Sequence, residues 1–367
     1  MNKKLLFTSA ILGAVILLNG CNSSSSSGGG NKNPEDKTDL QVFIEGFDQE
    51  PGVSECGKLG KLLSEDTLNV DGNDKYQCVL PARIGKNATL TKDIIWIATS
   101  KVKVGFGDYE IEKGDVDVLK DNSVTLTIDS GTEIRSTSGG AIVITRGSKI
   151  QANGTSANPI IMSSLEQTEL SSEDYEGAGE WGGLVLQGFG KHNGCENESK
   201  DEICNILGEG DVGYFGGNDN SDNSGKLKYV VVTEGGTEVA PDNEINGVTF
   251  QGVGSATQVE YIQVNNNADD GVEFFGGSVN IKYLVLTDNE DDSIDWDEGY
   301  KGSIQYGLVV HGGVRDKGIE SDNNGNAMDT LPRSMPTLAN ITFVGNGSGT
   351  ALLHREGTGV FIFNSIV

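Results

Sequence analysis

Apolar and polar positions alternate along most of this chain in short runs, and glycine, asparagine and serine punctuate them. Val124–Ile128, Ala141–Thr145, Pro159–Met162 and Gly183–Leu186 each read as a short strand. Further on the runs repeat. Asn246-Gly-Val-Thr-Phe250 aligns with Asp270-Gly-Val-Glu-Phe274, Asp292-Ser-Ile-Asp-Trp296 and Lys317-Gly-Ile-Glu-Ser321. Their centres, Val248, Val272, Ile294 and Ile319, are spaced by 24, 22 and 25 residues. A second set interleaves with the first: Leu227-Lys-Tyr229, Val259-Glu-Tyr261, Ile281-Lys-Tyr283 and Ile304-Gln-Tyr306, with tyrosines 32, 22 and 23 residues apart. Two strand signals in each period of this length mean a solenoid of stacked coils. The pattern predicts an all-β fold, a right-handed parallel β-helix, in which residues of one column lie ~4.8 Å from those of the next coil.

That geometry sorts the side chains. Val248 and Phe250, Val272 and Phe274, Ile294 and Trp296 should stack inward. Thr249, Glu273, Asp295 and Glu320 then share one outward column, and Asn246, Asp270, Asp292 and Lys317 a second. Asp269, Asp291 and Asp316 form a third beside it. Two carboxylates one coil apart repel by about 0.8 kcal/mol in water and by more near a low-dielectric surface. Either a cation sits among them, or one member is protonated, or Arg315, Lys317 and solvent neutralise the columns. Calcium prefers clustered carboxylates and carbonyls, so it is the candidate cofactor, held by Asp269, Asp270, Glu273, Asp291, Asp292, Asp295 and Glu320. Asn267 and Asn289 share an offset from Tyr261 and Tyr283, and so predict an internal asparagine ladder of structural role. The acidic Gly/Asn stretch Asp219–Gly225 reads as a turn rather than a cation loop.

The rest of the chain is organised around this body. Residues 39–122 are read as an N-terminal cap and first rungs, and 123–367 as the β-helix. Within the former, Leu40–Phe47 alternates like a strand, Cys56–Asp66 reads as a short helix, and Ala88–Gly105 as strands. A cap is expected because an open solenoid end exposes unpaired backbone. The Cys195–Asn223 region breaks the period and reads as an inserted loop; Met328–Pro336 reads as another. The last strand signal, Phe361–Val367, has no polar cap after it, which fits either a fragment or an end that something else covers.

The N-terminus changes the picture of where the body resides. Residues 1–20 read as a signal peptide, with Lys3 and Lys4 before the apolar Leu5–Leu18. Leu18-Asn-Gly-Cys21 resembles a bacterial lipoprotein signal, which implies cleavage before Cys21 and lipid on its sulfur. Residues 21–38, with Ser23–Ser27 and Gly28–Gly30, form a flexible tether. Asn22 in place of aspartate is similar to lipoproteins sorted to the outer membrane. With Cys21 lipidated, four cysteines remain. An oxidising envelope lets Cys56 pair with Cys78 and Cys195 with Cys204, the local choice among three connectivities. A zinc site is the rival reading, but CxxC spacing is lacking and histidine is scarce.

The formal charge of −27 excludes nucleic acid as a partner and argues against anionic lipid binding through the protein surface. The membrane contact is therefore assigned to the lipid anchor alone. The acidic face fits cations, or a glycan or protein ligand with basic groups.

Glu180-Trp-Gly-Gly-Leu-Val-Leu186, Tyr214-Phe-Gly-Gly-Asn218, Asn243–Gly247, Asp269–Gly277 and Pro336–Thr342 resemble motifs of bacterial secreted β-helix lipoproteins with the pectate-lyase-like fold. The resemblance covers roughly 124–367 and implies a fold and a compartment, not a reaction. The preferred reading is a non-catalytic envelope scaffold that binds through its acidic face. The alternative is a polysaccharide-degrading enzyme using Asp269, Asp270, Asp291 and Asp292 with His311 and Arg315. The Asn-Thr-Asp and Gly-His-Gly patterns of pectin-cleaving hydrolases are missing, and His354 reads as a surface or strand residue. A third reading is a structural subunit of a surface assembly.

Overall fold

Each coil turns on two strands whose inward positions are aliphatic or aromatic, and the chain closes a coil every twenty-odd residues. In a computed structural model the chain is described at residues 37–70, 72–165, 177–195, 202–241, 243–313, 316–347 and 349–367. The signal peptide, Cys21, most of the tether and Arg315 lie outside those residues. Thr38–Val367 forms one compact unit. Among the described residues, a nine-stranded sheet runs from Arg83–Ile84 to Thr350–Leu352, and a 15-stranded sheet carries the other side of each coil. Neighbouring coils pair parallel: Val248 with Val272, Val272 with Ile294, Ile294 with Ile319.

The inward stacks form as the sequence predicts. Val248, Phe250, Val272, Phe274, Ile294 and Trp296 are all buried in one continuous core. Phe250 stacks on Phe274 at 5.2 Å, and Phe274 on Tyr300 at 4.2 Å. The longer strands bend at a left-handed residue, with φ of 58° at Tyr261, 63° at Tyr283 and 64° at Tyr306. Register passes over that residue, so that Glu260 pairs with Lys282 and Ile262 with Leu284. The four tyrosines stack outside the bend, with ring centroids 4.3, 4.4 and 5.2 Å apart.

The N-terminal region departs from its sequence reading twice. Leu40–Phe47 is not a strand: Asp39–Gly46 is an α-helix, whose Thr38 Oγ1 accepts the N–H of Gln41. Leu40, Phe43, Ile44 and Phe47 recur at helical spacing, a period that the short window disguised as alternation. Phe43 and Phe47 pack edge-on against Phe106. Cys56–Asp66 is not a helix either. A 3-10 turn at Ser54–Cys56 ends at left-handed Gly57, and Lys61–Leu62 is already a strand. Parallel coils begin at Asn73–Val79, which pairs with Ile94–Ala98. Lys61–Leu62 and Leu68–Val70 add antiparallel to Asn73–Val79.

Both disulfides form, Cys56–Cys78 and Cys195–Cys204. The insertion carrying the second contains a small hairpin, Ile206–Gly208 with Gly213–Phe215. Fully buried Arg146 fastens it by donating to the carbonyls of Gly107, Tyr109, Cys204 and Gly216 and to Asn205 Oδ1. Asp219–Gly225 is a turn, in which Asp219 Oδ1 accepts from Ser221 N–H. Asn267 and Asn289 are fully buried, but their amides do not bond up the stack. Asn267 Nδ2 donates to Asp270 O inside its own coil, and the Asn289 amide has no hydrogen-bond partner.

Candidate functional site

The site grows from one outward column of the nine-stranded sheet. In register it reads Val143, Val185, Thr249, Glu273, Asp295, Glu320. Its first members are apolar and lie under the inserted segments: Val143 and Val185 pack with Ala141, Val212 and Ile245. The column then turns polar, and Glu273 and Glu320 in it stay buried. Glu273 is only 9% exposed and Glu320 7%. Glu209, from the insertion, bonds to the Glu273 side chain.

The neighbouring column supplies the order. Asn246 Oδ1 accepts the N–H of Asp270 at 3.2 Å, Asp270 Oδ1 that of Asp292 at 2.9 Å, and Asp292 Oδ1 that of Lys317 at 2.8 Å. Each side chain therefore caps the backbone of the next coil, which explains why short Asx residues recur there. The second side-chain atom of each faces the Glu273 column one coil on. Asn246 Nδ2 donates to Glu273. Asp270 meets Asp295 and Glu273, and Asp292 meets Asp295 and Glu320, with one oxygen of each residue within 4.8 Å of the others in its group.

Among the described residues, the positive charge near this array lies at one end. Lys317 Nζ sits 2.6 Å from Glu320 and 3.6 Å from Asp292 and also pairs with Asp316. Arg355 pairs with Glu320 and with Asp322, the latter at 2.8 Å. Asp270, Glu273 and Asp295 have no such partner in these ion pairs. Burial, reinforced by the neighbouring acids, drives all three carboxyls well above the ordinary range. Burial also pushes Asp269 up to about 8, Asp297 to about 8 and Asp292 to about 7.

All seven acids predicted from the sequence come together. Asp269, Asp270 and Asp291 form one group, and Asp291, Asp292 and Asp316 another, beside the two already described. Sequence reasoning missed Glu209, which arrives from an aperiodic insertion, and Asp297, which lies in register with Phe275. His311 reaches across to Ser293. Its Nε2 lies 2.8 Å from Ser293 Oγ, and Ser293 is fully buried, so the pair ties one coil to the next. His354 likewise holds Ser321 Oγ.

A family model described as a pectate-lyase like beta helix domain matches residues 102–367. The match begins earlier than the motifs alone indicate. No curated protein and no solved structure matches the chain.

Proposed function

The chain belongs to the pectate-lyase-like β-helix family, and from that premise we propose that it is a lipid-anchored scaffold of the bacterial cell envelope. It binds divalent cations, calcium first, and through them a glycan or protein ligand on its acidic face. The observation that carries this reading is the stacked carboxylate array, largely withdrawn from water, whose cationic partners among the described residues lie at one end. Calcium takes six to eight oxygens in flexible geometry, and a stack of aspartates and glutamates one coil apart supplies such oxygens. Right-handed winding follows from the strong preference of parallel crossover connections. The Asp39–Gly46 helix and the antiparallel strands beside it serve as the N-terminal cap.

The anchor rests on Cys21 and the apolar segment before it. Cys21→Ser should move the protein from the membrane to the soluble fraction and abolish incorporation of a labelled fatty acid. Labelling that persists in this variant contradicts the anchor. Equilibrium dialysis with radioactive calcium at pH ~8 tests the acidic face: retention in excess of free ion supports it, and no retention removes it.

One observation favours catalysis as a second reading. The carboxyls of Asp292 and Glu209 are both raised to about 7, the range a general acid needs. This reading requires that an acidic glycan be cleaved, and that Asp292→Asn abolish cleavage with the fold intact. Without cleavage by the natural chain, the scaffold stands alone.

A further inference from the structure

On the 15-stranded sheet, away from the carboxylate columns, the four stacked tyrosines form one wall of a groove of about 570 Å³ that crosses successive coils. The facing wall is the outward column two residues on, Val231, Gln263, Val285 and Leu308, which lie in register. Ser156 and Asn340 stand at its ends, and Tyr283, Tyr306 and Leu308 are exposed. The rings lie within 12°, 16° and 10° of parallel, so each covers the face of the next. The ladder therefore presents ring edges and hydroxyls sideways, and ring edges carry the positive end of the aromatic quadrupole. The charge beside the groove has the same sign. The outward columns before the tyrosines hold Lys226, Lys228 and Lys282 against the single acid Glu260. Lys228 Nζ lies 5.8 and 5.7 Å from the ring centroids of Tyr229 and Tyr261, and 4.0 Å from Glu260. Lys226 and Lys282 enter no ion pair among the described residues. In a chain with 54 acidic and 27 basic residues, two unpaired lysines beside an apolar groove favour an anionic counterpart from outside the chain.

We propose that this groove docks an extended polypeptide segment of a partner protein, one with alternating aliphatic or aromatic side chains flanked by carboxylates. Four coils span ~14 Å, the length of about four or five extended residues, which point two or three side chains to one face. The groove crosses the strands rather than following them, so the segment cannot add to the sheet as a further strand. Its side chains carry the contact: an aromatic ring meets the tyrosine edges face-on, aliphatic groups meet Val231, Val285 and Leu308, and acids meet the lysines. A sugar would rest its C–H face on a ring face, and within the ladder those faces are covered. A second copy of this chain brings the same large negative net charge and is repelled over most of its surface.

Fluorescence anisotropy on the full-length protein, in chelator so that the acidic face plays no part, tests this. The probe is a fluorescein-labelled peptide, Asp-Glu-Leu-Ser-Tyr-Ser-Leu-Glu-Asp. A second probe has lysine in place of each acid, and a third is a labelled oligouronate. The natural chain should bind the acidic peptide roughly tenfold or more tightly than the lysine peptide. Leu308→Asp and Tyr283→Asn should each weaken that binding by roughly tenfold or more, and Lys282→Glu by about threefold at low salt. A thermal melt of each variant verifies folding. No binding of the acidic peptide overturns the proposal, and binding that survives both Leu308→Asp and Tyr283→Asn does so too, by placing the peptide elsewhere. Oligouronate binding in place of the peptide makes the groove a glycan site and overturns it. Sedimentation velocity supplies the last arm: self-association of the natural chain that Leu308→Asp abolishes puts a second copy in the groove, against the proposal.

Discussion

Asn246, Asp270 and Asp292 perform one backbone task with two chemistries. Each accepts an N–H from the following coil, and only the second side-chain atom differs. Asp270→Asn therefore keeps the acceptor and gives the other atom to Asp295 as a donor, copying the Asn246–Glu273 contact. In chelator at pH ~8 this variant should be more stable to urea by about 1 kcal/mol, because a carboxylate repulsion becomes a hydrogen bond. Asp292→Asn should gain less, since Lys317 already neutralises that position. A fall in stability for Asp270→Asn would show that the acids are not repelling one another. The columns were legible from the aligned repeats, because register follows from period. Their burial was not: Glu209, which bonds to Glu273, comes from an insertion that carries no repeat.

The bend that closes each coil places a bulky residue at positive φ. Tyr229, Tyr261, Tyr283 and Tyr306 hold it in four coils and Asn340 in a further one, so asparagine meets the backbone requirement. Tyr283→Asn should leave the fold intact, with loss of ring stacking offset by relief at the backbone. Tyr283→Val should cost about 1–2 kcal/mol, because a β-branched residue resists this region. Equal stability of the two variants in urea denaturation would contradict the argument. Arg146 is the corresponding element-scale clasp for the disulfide insertion. Arg146→Met orphans the buried carbonyls of Gly107, Cys204 and Gly216 and should cost about 3 kcal/mol or more, with faster proteolysis near Cys204 as the readout. Strands and bends were readable from the tyrosine period, whereas the helix at Asp39–Gly46 was not. Only two turns long, it offers both helical spacing and partial alternation, and packing against Phe106 decides between them.

For the whole molecule, the carboxyl array ties stability to pH. Asp269, Asp292 and Asp297 titrate near 8, 7 and 8 in the folded chain, far above their unfolded values. The folded state therefore holds more protons than the unfolded one between pH ~4 and ~8. Their contribution is full below the unfolded value and is lost as pH rises through the folded values. A cation replaces those protons, so its stabilising effect should be small at pH ~5 and large at pH ~8.5. The most direct test is the melting temperature at pH ~8.5, first in chelator and then with millimolar calcium. We predict a low melting temperature in chelator, a rise of several degrees with calcium, and no comparable rise at pH ~5. A melting temperature indifferent to both pH and calcium would contradict the account and leave the acidic face as compensated surface charge.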